Sequence, residues 1–311
     1  MSDIKLFALG EQVTELTGST AALEKDLQRQ IENQMDSLLG VRFLATEYTT
    51  GKSHNGRIDS LGLDENNCPV IVEYKRHSNE NVINQGLFYL DWLLDHQAEF
   101  RWLVMELLGR DVAEQIEWGG TRLICIASDF NKYDEHAVQQ INRNIELMRY
   151  RYFGQELLLL ELINAQTADR QSASKINISS SSGSNIQARR GSTDKTQAER
   201  LAEAPEELQN FYDEICTFTE QLGDEVQRKE LKLYTAFKRI RNFISVLVLP
   251  QNKDPRIQVY LKLPGDMAED NAFSRDMSRT GHWGTGDLEV NVRDTSDLSK
   301  AKELIEQCYA Q

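Results

Sequence analysis

The sequence is short of what disulfides, zinc clusters and membranes require. Its four cysteines, Cys68, Cys125, Cys216 and Cys308, lie far apart without Cys-x-x-Cys spacing, and its five histidines do not cluster. That pattern excludes a cysteine–histidine zinc motif and points to reduced thiols. No apolar run approaches the ~20 residues of a membrane span. The first residues, Met1-Ser2-Asp3-Ile4-Lys5-Leu6-Phe7, lack a basic segment followed by an apolar one. The expected location is therefore cytoplasmic, with no membrane partner. Excess positive charge is missing too: 35 Lys and Arg against 49 Asp and Glu leave a net charge of −14, which counts against general affinity for a polyanion. The loop Trp283-Gly284-Thr285-Gly286-Asp287 has neither the length nor the lysine of a phosphate-binding loop.

What is present suffices for two globular domains. The 311 residues are 40% hydrophobic and 27% charged, and each half is long enough to bury a core of its own. The first half is organised around residues 56–75. Arg57-Ile58-Asp59-Ser60-Leu61-Gly62-Leu63 and Val70-Ile71-Val72-Glu73-Tyr74-Lys75 flank a turn from Asp64 to Pro69, which reads as a β-hairpin. Side chains alternate along a strand, so Glu73 and Lys75 leave the same face about 6–7 Å apart. Asp59, on the partner strand, joins them if the register brings it opposite. Two carboxylates and a lysine suit a Mg²⁺ ion, which is held by one or two carboxylates plus substrate phosphate oxygens. Such an ion activates a water for phosphodiester hydrolysis.

Ile58-Asp59, thirteen intervening residues and Glu73-Tyr74-Lys75 resemble the motif of the PD-(D/E)XK nuclease superfamily, most closely its NucS and RecB-type branches, with Ile58 where the superfamily's name has proline. The resemblance spans about residues 20–165. It implies a restriction-endonuclease-like α/β fold, a mixed sheet flanked by helices. It also implies metal-binding acids at Asp59 and Glu73, a catalytic lysine at Lys75, and Mg²⁺ (or Mn²⁺) as cofactor. Members often carry an acid in the first helix, which makes Glu24 a candidate accessory ligand; a solvated charge beside Lys25 and Asp26 is the alternative. RecB-like members carry a Gln-x-x-x-Tyr motif bordering the site, matched by Gln85 and Tyr89, which otherwise read as a core aromatic with a polar neighbour. Lys52, His54, Arg57, Lys75, Arg76 and His77 crowd the same region. They predict a narrow positive strip for nucleic acid, DNA above all, on an acidic body.

Around that hairpin, residues 1–19 read as a strand or a loose arm. Ser19 or Thr20 caps a helix to Leu39, with Leu23, Leu27, Ile31, Met35 and Leu38 on one face. Val41–Tyr48 reads as a strand, Asn81–Asp95 and Gln97–Leu108 as helices. Gly86 within a helix suggests close packing. Thr121–Ala127 reads as a strand covered on both faces, Asp134–Tyr150 as a helix through Ala137, Ile141, Ile145 and Met148, and Leu157–Ile163 as a buried strand.

A polar stretch over 166–200, including Ser179-Ser180-Ser181-Ser182-Gly183-Ser184, reads as a flexible linker. Residues 201–311 form a small α+β accessory domain: a helix over Glu206–Leu222, an alternating strand over Leu231–Arg241, strands over Phe243–Leu249, Ile257–Leu263 and Leu288–Val292, and a helix over Asp297–Tyr309. This half resembles a domain of unknown function that accompanies nuclease-like domains, sometimes labelled a predicted transport protein. Lys229, Lys232, Lys238, Arg239 and Arg241 offer it either a phosphate-contacting face or an ordinary solvated sheet face.

The expected function is a Mg²⁺-dependent endonuclease. The alternative is a nuclease-fold module that binds nucleic acid or regulates without cleaving, with recognition of a ligand or protein by the C-terminal domain. A homo-oligomer is compatible with either.

Overall fold

The computed structural model describes residues 4–76, 81–166, 195–250, 253–269, 271–279 and 285–311, with the side chains of 52 and 53 set aside. The chain divides into two compact units, Met1–Asp169 and Arg170–Gln311. Among the described residues no helix is long and apolar enough to cross a membrane.

The first unit begins with a separate hairpin, β1 (Leu6–Leu9) and β2 (Val13–Leu16). Then come β3 (Gly18–Ser19), α1 (Glu24–Asn33), α2 (Met35–Leu39), β4 (Val41–Thr49), α3 (Gly51–His54), β5 (Arg57–Asp64) and β6 (Pro69–Lys75). The unit is completed by α4 (Val82–Asp95), α5 (Gln97–Leu108), α6 (Arg110–Glu114), β7 (Arg122–Ala127), α7 (Lys132–Gln139), β8 (Asn144–Phe153) and β9 (Leu157–Gln166). The sheet runs β3-β8-β7-β6-β5-β4, with β9 also paired to β8. Its β4-β5-β6 half is antiparallel, and β6-β7-β8 are parallel. Parallel neighbours need crossovers, which α4–α6 and α7 supply. This is the mixed sheet flanked by helices that the resemblance implies.

Period-2 alternation on β6 sorts the two faces. Ile71 joins a core with Leu90, Leu93 and Phe100 of α4 and α5 and with Leu123 and Cys125 of β7. On the opposite face, Ser60 bonds Glu32 of α1 and the Tyr74 hydroxyl, while Leu27 and Ile31 are fully buried. At Gly86 an added Cβ would lie 2.5 Å from Leu123, so the close packing expected there is real. β7 is buried along its whole length.

Several expectations are corrected. Residues 144–153 form a strand instead of continuing a helix from Asp134. The helical spacing of Ile145 and Met148 coincided with an alternating run rich in aromatic and branched residues, and pairing with β7 and β9 decided the outcome. The first helix starts at Glu24, because Gly18–Ser19 pairs with Phe153 and Tyr152, and it breaks at Gln34 before α2. β9 lies outside β8 and is half-exposed where a buried strand was expected. Of the stretch assigned to a linker, Gln197–Arg200 lies in helix α8 (Gln197–Glu203), which opens on a capping box between Thr196 and Glu199; residues 167–194 lie outside the described residues.

The second unit continues with α9 (Glu206–Glu220), β10 (Gln227–Glu230), β11 (Thr235–Lys238), β12 (Asn242–Leu249), β13 (Arg256–Leu261), β14 (Ser274–Asp276), β15 (Leu288–Val292) and α10 (Thr295–Tyr309). Its antiparallel sheet, β10-β11-β12-β13-β15-β14, packs one apolar face, including Ile244, Val246, Val259 and Val290, against Phe211, Ile215, Leu298 and Ile305 of α9 and α10. The single strand expected over Leu231–Arg241 is instead a turn leading into β11. Lys238 is buried, so the solvated row of lysines is not formed as expected.

The sheet of the first unit carries a buried ion cluster at the end where β5 finishes and β7 begins. Arg122 reaches Glu146 at 2.8 Å and Asp64 at 3.3 Å, and all three side chains are under 5% exposed. Removing the guanidinium takes away the cation that two buried carboxylates share. Arg122→Met should therefore lower the unfolding free energy by about 3–5 kcal/mol, read as a shifted midpoint in urea denaturation.

Candidate active site

The other end of the hairpin gathers the acids. The β5–β6 ladder is in register from Leu63↔Pro69 to Ser60↔Val72, and one step further on each strand come Asp59 and Glu73. There side chains replace the backbone pairing. The Asp59 N–H donates to Glu73 Oε1 at 3.1 Å, and the Tyr74 N–H donates to Asp59 Oδ2 at 3.0 Å. Each carboxylate thus caps the other residue's strand, and the register brings Asp59 opposite Glu73.

Glu73 is fully buried. Its second oxygen, Oε2, is also buried and has no hydrogen-bond partner. An unsatisfied buried carboxylate oxygen is costly unless something outside the chain meets it. Asp59 Oδ2 is occupied by the Tyr74 amide, leaving Oδ1 outside that bond. Two hard oxygen donors next to a lysine fit a divalent cation that keeps waters and takes further ligands from a phosphate. Among the described residues no group of three or more His, Cys, Asp or Glu side chains forms an all-protein cage.

Burial sets the protonation of the pair. Desolvation pushes the Asp59 carboxyl up to about 6, against the opposing effects of the Tyr74 amide and Lys75. Glu73 is pushed up to about 9 by desolvation and by the adjacent Asp59 charge. Lys75 is half-buried; desolvation opposes its charge, but Glu24, Asp59 and Glu73 together hold it above the ordinary lysine value. The lysine therefore stays an ammonium beside the acids.

Glu24, at the start of α1, reaches over the end of β6. Its Oε1 lies 3.2 Å from Lys75 Nζ, and its Oε2 accepts the Arg76 N–H at 3.1 Å. In this arrangement it anchors the lysine. One helical turn on, Gln28 donates to the Asp59 carbonyl at 2.8 Å and to Thr46 and Glu32 at 3.2 and 3.0 Å. No sequence motif marks Gln28, Glu32 or Ser60. The available signal was a glutamine next to Leu27 on an otherwise apolar helix face.

Gln85 and Tyr89 share a face of α4, with Gln85 Nε2 3.3 Å from the Tyr89 hydroxyl. That hydroxyl accepts the Arg57 N–H at 3.2 Å, and the Tyr89 ring fills the space where a side chain at Gly56 would project. The pair thus fixes the entry of β5 two residues before Asp59. Of the predicted positive strip, Arg57 is 65% exposed and paired with Glu47, and Arg76 is exposed. His54 packs against Phe88, and Lys75 turns inward to Glu24. The Lys52 side chain and His77 lie outside the described residues, as do Trp283 and Gly284.

Comparison with known proteins covers the two halves unequally. Residues 198–311 match the model of a domain of unknown function, DUF5655. The chain is 27% identical over 303 residues to an uncharacterized protein of Haemophilus influenzae, spanning 95% of this chain and 96% of that protein. Among solved structures it is similar to a repair endonuclease from Pyrococcus abyssi, with 19% identity and a TM-score of 0.28 over 44% of this chain and 50% of the other. It is also similar to the protein of an EndoMS–dsDNA2 complex, with 14% identity and a TM-score of 0.25 over 47% of this chain and 64% of that one. The chain thus matches half to two thirds of each of those proteins' lengths.

Because both acids titrate higher in the folded chain than their ordinary values of 3.8 and 4.5, the neutral carboxyls are what folding favours. Their stabilising contribution is complete below about pH 4. It is lost as pH rises through about 6 for Asp59 and about 9 for Glu73. Glu73→Gln keeps an acceptor for the Asp59 N–H without the charge. It should stabilise the metal-free protein by ~1–3 kcal/mol near neutral pH, and it should flatten the decline in melting temperature between pH 5 and 9 that linkage predicts for wild type.

Proposed function

We propose that the chain is a metal-dependent nuclease that hydrolyses phosphodiester bonds in DNA. The observation that carries this is the meeting of Asp59 and Glu73 at the open end of the hairpin, with a buried carboxylate oxygen unpartnered and an ammonium beside it. A binding surface gains nothing from burying two acids together, whereas a cation site requires it.

Asp59 and Glu73 would hold Mg²⁺, with Mn²⁺ as a substitute. When bound, such an ion lowers the pKa of a water and offsets charge on the attacked phosphate. The chain's own groups do the rest. Lys75 places a fixed positive charge where negative charge grows on the phosphoryl oxygens. Glu24 holds that ammonium by its ion pair and, through the Arg76 amide, fixes the chain leaving β6. Gln28 fixes the Asp59 backbone from beneath. Gln85 and Tyr89 set the wall on the α4 side, and the exposed Arg57, which also pairs with Glu47, and Arg76 offer contacts to the substrate's phosphates. The C-terminal unit recognises a ligand or protein partner in this scheme, and assembly into a homo-oligomer is compatible with it.

The net charge of −14 favours a second reading, a nuclease-fold module that binds or regulates without cutting. One experiment separates the two. Single-stranded, double-stranded and branched DNA, and RNA, are incubated with wild type, Lys75→Ala and Glu73→Ala in Mg²⁺ or Mn²⁺. The nuclease reading predicts metal-dependent cleavage of a DNA substrate that falls at least ~100-fold in both variants. Binding without cleavage, with wild type and variants alike, would replace it by the non-cleaving module.

A further inference from the structure

Side chains take both backbone groups of Asp59. Its N–H donates to Glu73 Oε1 at 3.1 Å, and its carbonyl accepts Gln28 Nε2 at 2.8 Å. The β5–β6 ladder ends one pair earlier, at Ser60↔Val72. On β4, Glu47, which the pairs Thr46↔Ser60 and Tyr48↔Ile58 place opposite Asp59, has a left-handed φ of 51°. Something other than regular strand pairing fixes this carboxylate. A closed circuit of hydrogen bonds on the α1 side of the sheet does so. Gln28, which grips the Asp59 carbonyl, also donates to Glu32 Oε1 at 3.0 Å, one helical turn on. The same Oε1 accepts the Ser60 hydroxyl at 2.6 Å, and Ser60 Oγ lies 3.2 Å from the Tyr74 hydroxyl. Tyr74 closes the circuit, because its N–H donates to Asp59 Oδ2 at 3.0 Å. Gln28, Ser60 and Tyr74 are buried, so water does not readily replace a bond lost among them.

We infer that Glu32 and Ser60 are positioning residues that set the affinity of the cation site by holding Asp59 at both its carbonyl and its carboxylate. This rests on the nuclease reading and adds to it the residues behind the sheet on which the site depends. Alternation turns the side chains of Asp59 and Glu73 to one face and those of Ser60 and Tyr74 to the other. Glu32 and Ser60 therefore act through Asp59 and not on the cation. The arm through Gln28 and the arm through Ser60 and Tyr74 meet at a single oxygen, Glu32 Oε1. Mg²⁺ demands near-ideal octahedral geometry, so a small swing of the Asp59 carboxylate costs affinity. Groups that orient a metal ligand from outside its own shell carry that kind of weight. The circuit needs an acceptor at residue 32 and no charge there, since an amide carbonyl can receive the same two donors.

The test is a calorimetric titration of Mn²⁺ into full-length wild type, Asp59→Asn, Glu32→Met, Glu32→Gln and Ser60→Ala, with the melting temperature of each measured without metal. Glu32→Met removes the acceptor while keeping a side chain of similar length, and it should weaken Mn²⁺ binding about tenfold. Glu32→Gln keeps an acceptor and should bind Mn²⁺ as wild type does. Ser60→Ala severs only the arm through Tyr74 and should fall between the two. A purely structural role would lower the melting temperatures of Glu32→Met and Ser60→Ala and leave their Mn²⁺ affinity at the wild-type value. That result would overturn the inference and leave the nuclease reading intact. Glu32→Gln binding as weakly as Glu32→Met would overturn it too, because charge would then be what residue 32 supplies. If Glu32→Met does not fold, Ser60→Ala decides: weaker binding supports the circuit and unchanged binding removes it. Wild type without saturable Mn²⁺ binding, or Asp59→Asn binding as tightly as wild type, would remove the nuclease reading and this inference together.

Discussion

The first unit depends on an exchange at the end of its central hairpin, where two backbone amides donate to two carboxylates instead of to the opposite strand's carbonyls. Asp59 and Glu73 each satisfy a donor that the ladder would otherwise have paired. The acids are thereby held together in a place with little water, where charge is expensive. At the far end of the same sheet the buried acids Asp64 and Glu146 are instead met by a cation, Arg122. Between these two charged ends the strands are apolar, and α1 and α4 cover them from opposite faces.

The elements surrounding the pair keep the acids from relaxing apart. Gln28 pins the Asp59 carbonyl, Glu24 holds Lys75 and the Arg76 amide, and Tyr89 receives the amide of Arg57. These contacts come from two helices, α1 and α4, so the constellation is set by tertiary packing and not by the hairpin alone. That is the preorganisation an electrostatic catalyst needs, since groups already fixed in place require no rearrangement as charge develops.

Much of this could be read from residue order, for physical reasons. Strand alternation places Glu73 and Lys75 together and helical spacing pairs Gln85 with Tyr89, whereas the register that brings Asp59 opposite Glu73 is set only in the folded sheet. Residues 144–153 read as a helix because Ile145 and Met148 satisfy a helical period by coincidence, and only pairing with β7 and β9 decides between the two. Lys238 is buried for a related reason: alternation gives the face but not what covers it. The Gln28–Glu32–Ser60 network joins residues far apart in sequence, so no local pattern announces it. In the C-terminal unit the main strands and the closing helix were legible, and its function was not.

The measurement that bears most directly on the account is a calorimetric titration of Mg²⁺ and Mn²⁺ into wild type, Asp59→Asn and Glu73→Gln. A saturable site in wild type that disappears in both variants, although both remain folded, is the predicted result. Saturable binding of equal strength in all three proteins would contradict it, as would no saturable binding in wild type at millimolar metal. In either case the paired carboxylates would not be a metal site.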